Sequence, residues 1–365
     1  MRLIFLSLFG VLTILCVVFF FKKKPSLLPN SISVSSSAKK AAFKEKTMGL
    51  PIRAVFYDPT DEQSYLSLQK NVGKINLLLT EYMFIDPKSD RIYVNAQCKG
   101  AEKINRFGVK EIAMLSNFYG DDFNGETVHR ILHDPVKQKR MINDIARILQ
   151  SGHFSGVNID LEEFEEDSDE ALIKFMKELY GKLHPLGLLI TIDVQPFNDD
   201  FNIPELARYN DYLFLMAYDE HNEDTGPGPV SSQRFIDSAL RIMKKNISAA
   251  QVADKVILCI AGYGYDWTAK KKAVTVSYQQ AVNTAWENHI KIDYNQYKYN
   301  PNYRYKDKAG IMHNTYFTDA PTNLKVMNTA NENCLAGVAL WRFGLEDSRL
   351  WSFYDKPLQE TNLKK

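Results

Sequence analysis

The chain has 365 residues, of which 45% are apolar and 24% charged, with a formal net charge of +1. That length suits one large α/β domain with attachments, and that composition excludes a disordered, collagenous or wholly membrane-embedded chain. Residues 1–48 carry eight basic side chains against the single acid Glu45, leaving 37 basic and 43 acidic residues beyond them and no footprint for gripping nucleic acid.

The run Leu3 to Phe21 holds 19 residues without a charge. At helical rise it spans about 28 Å, enough to cross a bilayer core. Phe19, Phe20 and Phe21 lead straight into Lys22, Lys23 and Lys24, not into the small residues of a cleavage site, so residues 1–24 read as an uncleaved membrane anchor. Leu15 stands before Cys16 where a lipidation site needs a small residue. Residues 25–48, with Ser35, Ser36 and Ser37, lack periodic apolar positions and read as a flexible linker. The four cysteines (Cys16, Cys98, Cys259, Cys334) form no C-x-x-C pair, so neither a zinc site nor a disulfide framework is signalled.

The body, residues 49–358, repeats an apolar strand, a polar loop and an amphipathic helix. Strand-like runs occur at Ile52 to Tyr57, Ile75 to Thr80, Val109 to Leu115, Gly156 to Leu161, Leu188 to Val194, Tyr212 to Tyr218, Lys255 to Ala261 and Leu335 to Trp341. Pro135 to Leu149 predicts a helix with Asp134 as cap and Ile142, Ile145, Ala146 and Leu149 on one face. Ala171 to Leu183 predicts another through Leu172, Phe175, Met176, Leu179 and Leu183. Eight strands with intervening helices predict a (β/α)8 TIM barrel. An open doubly wound sheet is the alternative, but no glycine fingerprint follows the first strand. The stretch from Gly262 to Cys334 is too long for an ordinary connection. It predicts a small α+β insertion between strands 7 and 8, at about residues 265–334, rich in tyrosine (Tyr294, Tyr297, Tyr299, Tyr303, Tyr305).

Chemistry in such a barrel belongs at the C-terminal ends of the strands. In the fourth strand, alternation puts Asn158, Asp160 and Glu162 on one face and Val157, Ile159 and Leu161 on the other. Residues i and i+2 lie about 6.6 Å apart at the backbone, so the two carboxyls are placed to share a proton or hydrogen bond. Burial then raises the pKa of one of them, as general acid catalysis on an ether-like oxygen requires. Other chemistries lack their motifs: there is no G-x-S-x-G, no H-E-x-x-H and no phosphate-binding glycine loop. His221 and His313 fall in predicted loops, and neither a metal nor a cofactor is called for.

The fourth strand resembles the D-G-x-D-x-D-x-E signature of glycoside hydrolase family 18, with Gly156, Asp160 and Glu162 in place. Met216-Ala217-Tyr218-Asp219 resembles that family's Met-x-Tyr-Asp, and Trp341 its floor tryptophan. The segments Met216 to Ser232, Gly262 to Trp267 and Gly337 to Gly344 are most similar to bacterial members, including domains fused to polysaccharide deacetylases and glycosyltransferases. The resemblance implies a retaining, substrate-assisted hydrolase in which Glu162 is acid and base. Asp160 orients the substrate acetamido group, Tyr218 bonds its oxygen, Met216 and Asp219 line the subsite, and Trp341 stacks under the sugar. Gln195, just past the fifth strand, is a further candidate for bonding sugar.

Two positions depart from the signature: Ser155 replaces an acid, and Asn158 replaces the first aspartate of the D-x-D-x-E triplet. Asn158 cannot hold a proton, so proton sharing is expected to rest on Asp160 and Glu162 alone. Polymers of β-linked N-acetylglucosamine are the expected substrates, with a carbohydrate-binding barrel without turnover as the alternative; retention of Glu162 favours the enzyme. Three lysines after the anchor favour a cytoplasmic body, but such glycans lie outside the cytoplasm and argue for a domain in the cell envelope, periplasmic or extracellular.

Overall fold

A computed structural model describes residues 52–95, 104, 106–164, 169–269, 271–294 and 300–356. The expected anchor and linker lie outside the described residues, as do Cys16, Cys98, Tyr297 and Tyr299.

Eight parallel strands close on themselves: β1 (Ile52–Tyr57), β2 (Leu77–Asp86), β3 (Lys110–Ser116), β4 (Gly156–Asp160), β5 (Leu189–Val194), β6 (Tyr212–Leu215), β7 (Val256–Ala261) and β8 (Gly337–Trp341). Each pairs with the next, and β8 returns to β1 with Val55 opposite Leu340. This is the (β/α)8 barrel that the strand count predicts. The ring is filled by inward side chains in its lower layers, including Phe56, Leu79, Met114, Phe214, Ile257 and Ala339. The outward side chains of the same strands, such as Val157, Ile159 and Ile192, join the larger core beneath the helices.

The helices form where the sequence caps them. Asp134 accepts from the backbone N–H groups of Val136 and Lys137 and starts α1 (Pro135–Gly152), which buries Ile142, Ile145, Ala146 and Leu149. It runs one turn beyond the predicted end, until His153 takes a left-handed conformation. The helix α2 (Asp169–Leu183) follows β4 and α3 (Gln233–Asn246) follows β6, the latter capped by Ser232. Two predicted strands end differently. β2 continues to Asp86 because a hairpin partner, Arg91–Val94, pairs with its far end. β6 stops at Leu215, short of Tyr218, because the chain turns outward and Asp219 takes a φ of +57°.

Between β7 and β8 lies a four-stranded antiparallel sheet, in the spatial order Lys271–Ser277, Tyr263–Thr268, Met312–Phe317, Asn302–Lys306, with helix α4 (Tyr278–Glu287) against it. The insertion was expected at about residues 265–334. The sheet begins at Tyr263, and α5 (Ala320–Glu332) returns to the barrel wall because Val326, Met327 and Ala330 are buried in the barrel's outer core. The segment that stands apart from the wall therefore ends at Phe317.

Closure of the ring needs a close approach at its seam. A Cβ on Gly337 would lie 2.1 Å from the Ile52 carbonyl oxygen, which is backbone and cannot move aside. Gly337→Ala is expected to destabilise the fold by about 1–3 kcal/mol through overpacking. The check is a lower denaturant midpoint at unchanged slope in urea unfolding.

Candidate active site

The site is built at the C-terminal mouth of the barrel, starting from β4. Asn158 and Asp160 point inward and are almost fully buried. The ladder sets Asp160 beside Ser116 of β3 and Asn158 beside Thr191 of β5. The Ser116 hydroxyl donates to the Asp160 carboxylate. Glu162 lies just past the strand, where the Asn117 side chain grips its backbone on both sides. The Glu162 N–H donates to Asn117 Oδ1 at 3.0 Å, and Asn117 Nδ2 donates to the Glu162 carbonyl at 2.8 Å. Glu163 then takes a φ of +56° and leads the chain away. This clamp fixes where the Glu162 carboxyl can reach.

That carboxyl meets Asp160 through a side-chain hydrogen bond. On its other side Gln195 Nε2 donates to Glu162 Oε2 at 2.7 Å, and Asn198 Nδ2 steadies Gln195 at 3.0 Å. Burial pushes Glu162 well above the usual carboxyl range, helped by the negative charges of Asp160, Asp219 and Glu163. Burial also raises Asp160, to about 6, while the hydrogen bonds from Ser116 and Glu162 hold it down. Burial thus raises both carboxyls, and Glu162 carries the added push of three negative neighbours.

A second arrangement lies across the mouth. The hydroxyls of Tyr263 and Tyr265 both donate to Asp219 Oδ1, at 2.6 and 2.9 Å. Burial raises Asp219 to about 6 against these two bonds, which favour its ionised form. Tyr218 packs edge-on to Tyr263 with ring centroids 6.1 Å apart, and burial holds its hydroxyl protonated. Trp341 rests edge-on against Phe56 at 4.9 Å and leaves part of its indole facing the space above. The cavity between these groups has a volume of about 470 Å³. Its lining includes Asp160, Glu162, Asp193, Gln195, Met216, Tyr218, Asp219, Tyr265 and Trp341. Six carboxyls line it, adding Glu163 and Glu223, and the described lining contains no lysine or arginine.

The model of the glycosyl hydrolases family 18 matches residues 53–346. The chain belongs to this family. YdhD of Bacillus subtilis is 30% identical over 250 residues, which cover 65% of this chain and 58% of that protein. The uncharacterized glycosylase YvbX of the same organism is 26% identical over 312 residues, covering 81% of this chain and 89% of YvbX. Among solved structures, the spore cortex-lytic enzyme SleL of Bacillus megaterium superposes with a TM-score of 0.74 at 20% identity, over 84% of this chain and 73% of SleL. That likeness is one of fold.

Seven of the eight residues singled out from the sequence line the one cavity. The eighth, Asn158, lies beneath it and donates from Nδ2 to Asp193 Oδ2 at 2.6 Å. Gln195, expected to face sugar, also bonds Glu162. The histidines lie elsewhere: His221 Nδ1 sits 2.8 Å from the Gly226 carbonyl, and His313 is on a strand of the small sheet, not in a loop, with Nδ1 2.6 Å from Asp266. Sequence reasoning missed Asp193, Asn117 and the Tyr263–Tyr265 pair. The signal for Asp193 was present in the alternation of Thr191 and Asp193 along β5, the pattern that exposed Asp160 on β4.

Replacing Tyr263 or Tyr265 by Phe removes a donor to the ionised form of Asp219, so its pKa is expected to rise from about 6 by up to about one unit per hydroxyl. A carboxyl carbon NMR titration reads the shift directly.

Proposed function

We propose that the protein hydrolyses β-linked N-acetylglucosamine-containing polysaccharide with retention of configuration, the substrate's own acetamido group acting as nucleophile. The observation that carries this reading is the buried, hydrogen-bonded Asp160–Glu162 pair at the lining of the cavity, with Gln195 bonding Glu162 from its other side. Membership of family 18 supports it.

In this reading Glu162 donates its proton to the glycosidic oxygen as the C1–O bond breaks, while the acetamido oxygen closes onto C1. Asp160, ionised, faces the positive charge that develops on the acetamido nitrogen, and the protonated Tyr218 hydroxyl donates to the acetamido oxygen. Water then opens the ring intermediate and returns a proton to Glu162. The partly uncovered indole of Trp341 offers an apolar plane to the C–H face of the sugar. Met216 and Asp219 border the same space. The name of SleL points to a cell-wall glycan as the first substrate class to test, beside chitin-like polymers and exopolysaccharide. Residues 1–24 would hold the enzyme at the membrane with its barrel outside the cytoplasm, a topology that protease accessibility on intact cells tests.

Glu162→Gln is expected to lower kcat by about 10²–10⁴-fold while oligosaccharide binding persists, read by product release and calorimetry on a panel of N-acetylglucosamine oligomers. Binding by the wild type with no product after prolonged incubation would instead reveal a carbohydrate-binding barrel. The pH dependence has a definite sign. Rate requires protonated Glu162, and the bond from Gln195 favours the ionised form. Gln195→Leu therefore moves the alkaline limb of kcat/KM to higher pH, as pH–rate profiles of the two proteins would show.

A further inference from the structure

We propose that Asp193 of β5 is a positioning residue for this reaction, supplying from the neighbouring strand the exchangeable proton that Asn158 of β4 cannot hold. The inference rests on the hydrolytic reading above and concerns which side chain shares a proton with Asp160.

The ladder fixes the placement. Asn158 pairs with Thr191 and Ile159 with Ile192, so Asp160 and Asp193 come next along adjacent strands, about 4.8 Å apart in the pairing direction. Both line the cavity and both are buried. The Thr191 hydroxyl donates to Asn158 Oδ1 at 2.6 Å, and Asn158 Nδ2 donates to Asp193 Oδ2 at 2.6 Å. That leaves Asp193 Oδ1 buried without a hydrogen-bond partner. A bare carboxylate oxygen in such a place is costly, whereas a carboxylic acid whose O–H turns toward its neighbour is not. The groups around Asp193 agree. Asp160 and Glu162 face it from β4 and the loop beyond, Tyr218 from the end of β6, and Cys259 from β7. All of them are acids or neutral. Burial and the charges of Asp160 and Glu162 hold Asp193 well above the usual range, and the bond from Asn158 opposes them.

The proton count through the cycle then closes. At rest Asp160 and Asp193 share one proton. When Glu162 protonates the leaving oxygen and the acetamido nitrogen becomes positive, that shared proton settles on Asp193 and Asp160 answers as a carboxylate. Water later restores the proton to Glu162, and the shared proton never leaves the protein. The expectation that Asp160 and Glu162 act alone is thereby replaced: the acid absent from position 158 stands one strand over.

The test is a reciprocal exchange. With the N-acetylglucosamine tetramer as probe, Asp193→Asn should lower kcat about tenfold or more with KM little changed, and Asn158→Asp added to it should bring kcat back to within about threefold of wild type. A carboxyl NMR titration of the free protein gives a readout without substrate: the Asp160 curve should lose the step it shares with Asp193 in Asp193→Asn, keeping its coupling to Glu162, and regain that step in the double variant. An unchanged kcat and Asp160 curve in Asp193→Asn would overturn the proposal, as would a loss that Asn158→Asp does not repair, which marks Asp193 as a mere buttress. If Asp193→Asn does not fold, the single Asn158→Asp decides: an added acid must alter the Asp160 curve, and an unaltered one overturns the idea. Glu162→Gln separates the two readings. Activity retained there removes the hydrolytic mechanism, whereas an inactive Glu162→Gln beside an unaffected Asp193→Asn removes this inference alone.

Discussion

The mouth of this barrel depends on one constraint: Asp160, Glu162, Asp193 and Asp219 are taken out of water and held by hydrogen bonds from uncharged donors or from one another, not by cations. Desolvation disfavours the charged form, so each such group either keeps its proton or collects hydrogen bonds. Asp160 has Ser116 and Glu162 as donors, and Asp219 has two tyrosines. Glu162 has Gln195 against three negative neighbours and settles on the protonated side. The chemistry follows from unequal solvation of similar groups, and the parallel strands hold that inequality in place because they cannot relax toward water.

One arginine next to the site is turned away from it. Arg342 follows Trp341 directly, yet its guanidinium turns toward the loop after β1, bonding Asp61 at 2.8 Å and lying 3.7 Å from Asp58. Glu81, at an irregularity in β2, feels Asp58, Arg342 and Asp160, and burial pushes it up to about 8. Arg342 is thus neutralised behind the tryptophan. A free guanidinium in the cavity would pull the Glu162 carboxyl back toward the ordinary range.

Much of this was legible in the chain, for identifiable reasons. The barrel strands are short apolar runs at regular spacing, and the Asn158-Ile159-Asp160-Leu161-Glu162 alternation cannot face solvent on one side and helices on the other without placing acids inside the ring. Asp134 before Pro135 marked a helix start because a side-chain acceptor and a missing N–H are both wanted there. What escaped were contacts between segments distant in sequence. Asp193 reaches Asn158 across 35 residues, and Tyr263 reaches Asp219 across 44. No local pattern announces such pairs; only the strand register brings them together. The end of the small sheet was misjudged for a related reason, since the apolar stripe of Ala320–Glu332 says that a helix is buried but not against which body.

The lining of the cavity carries a sign as well as a shape. Among the described residues six carboxyls and no lysine or arginine border the cavity, and those of them that ionise set a negative potential over about 8 Å at physiological salt. By charge alone, an anionic solute approaching the mouth meets a repulsion that a neutral or cationic one does not.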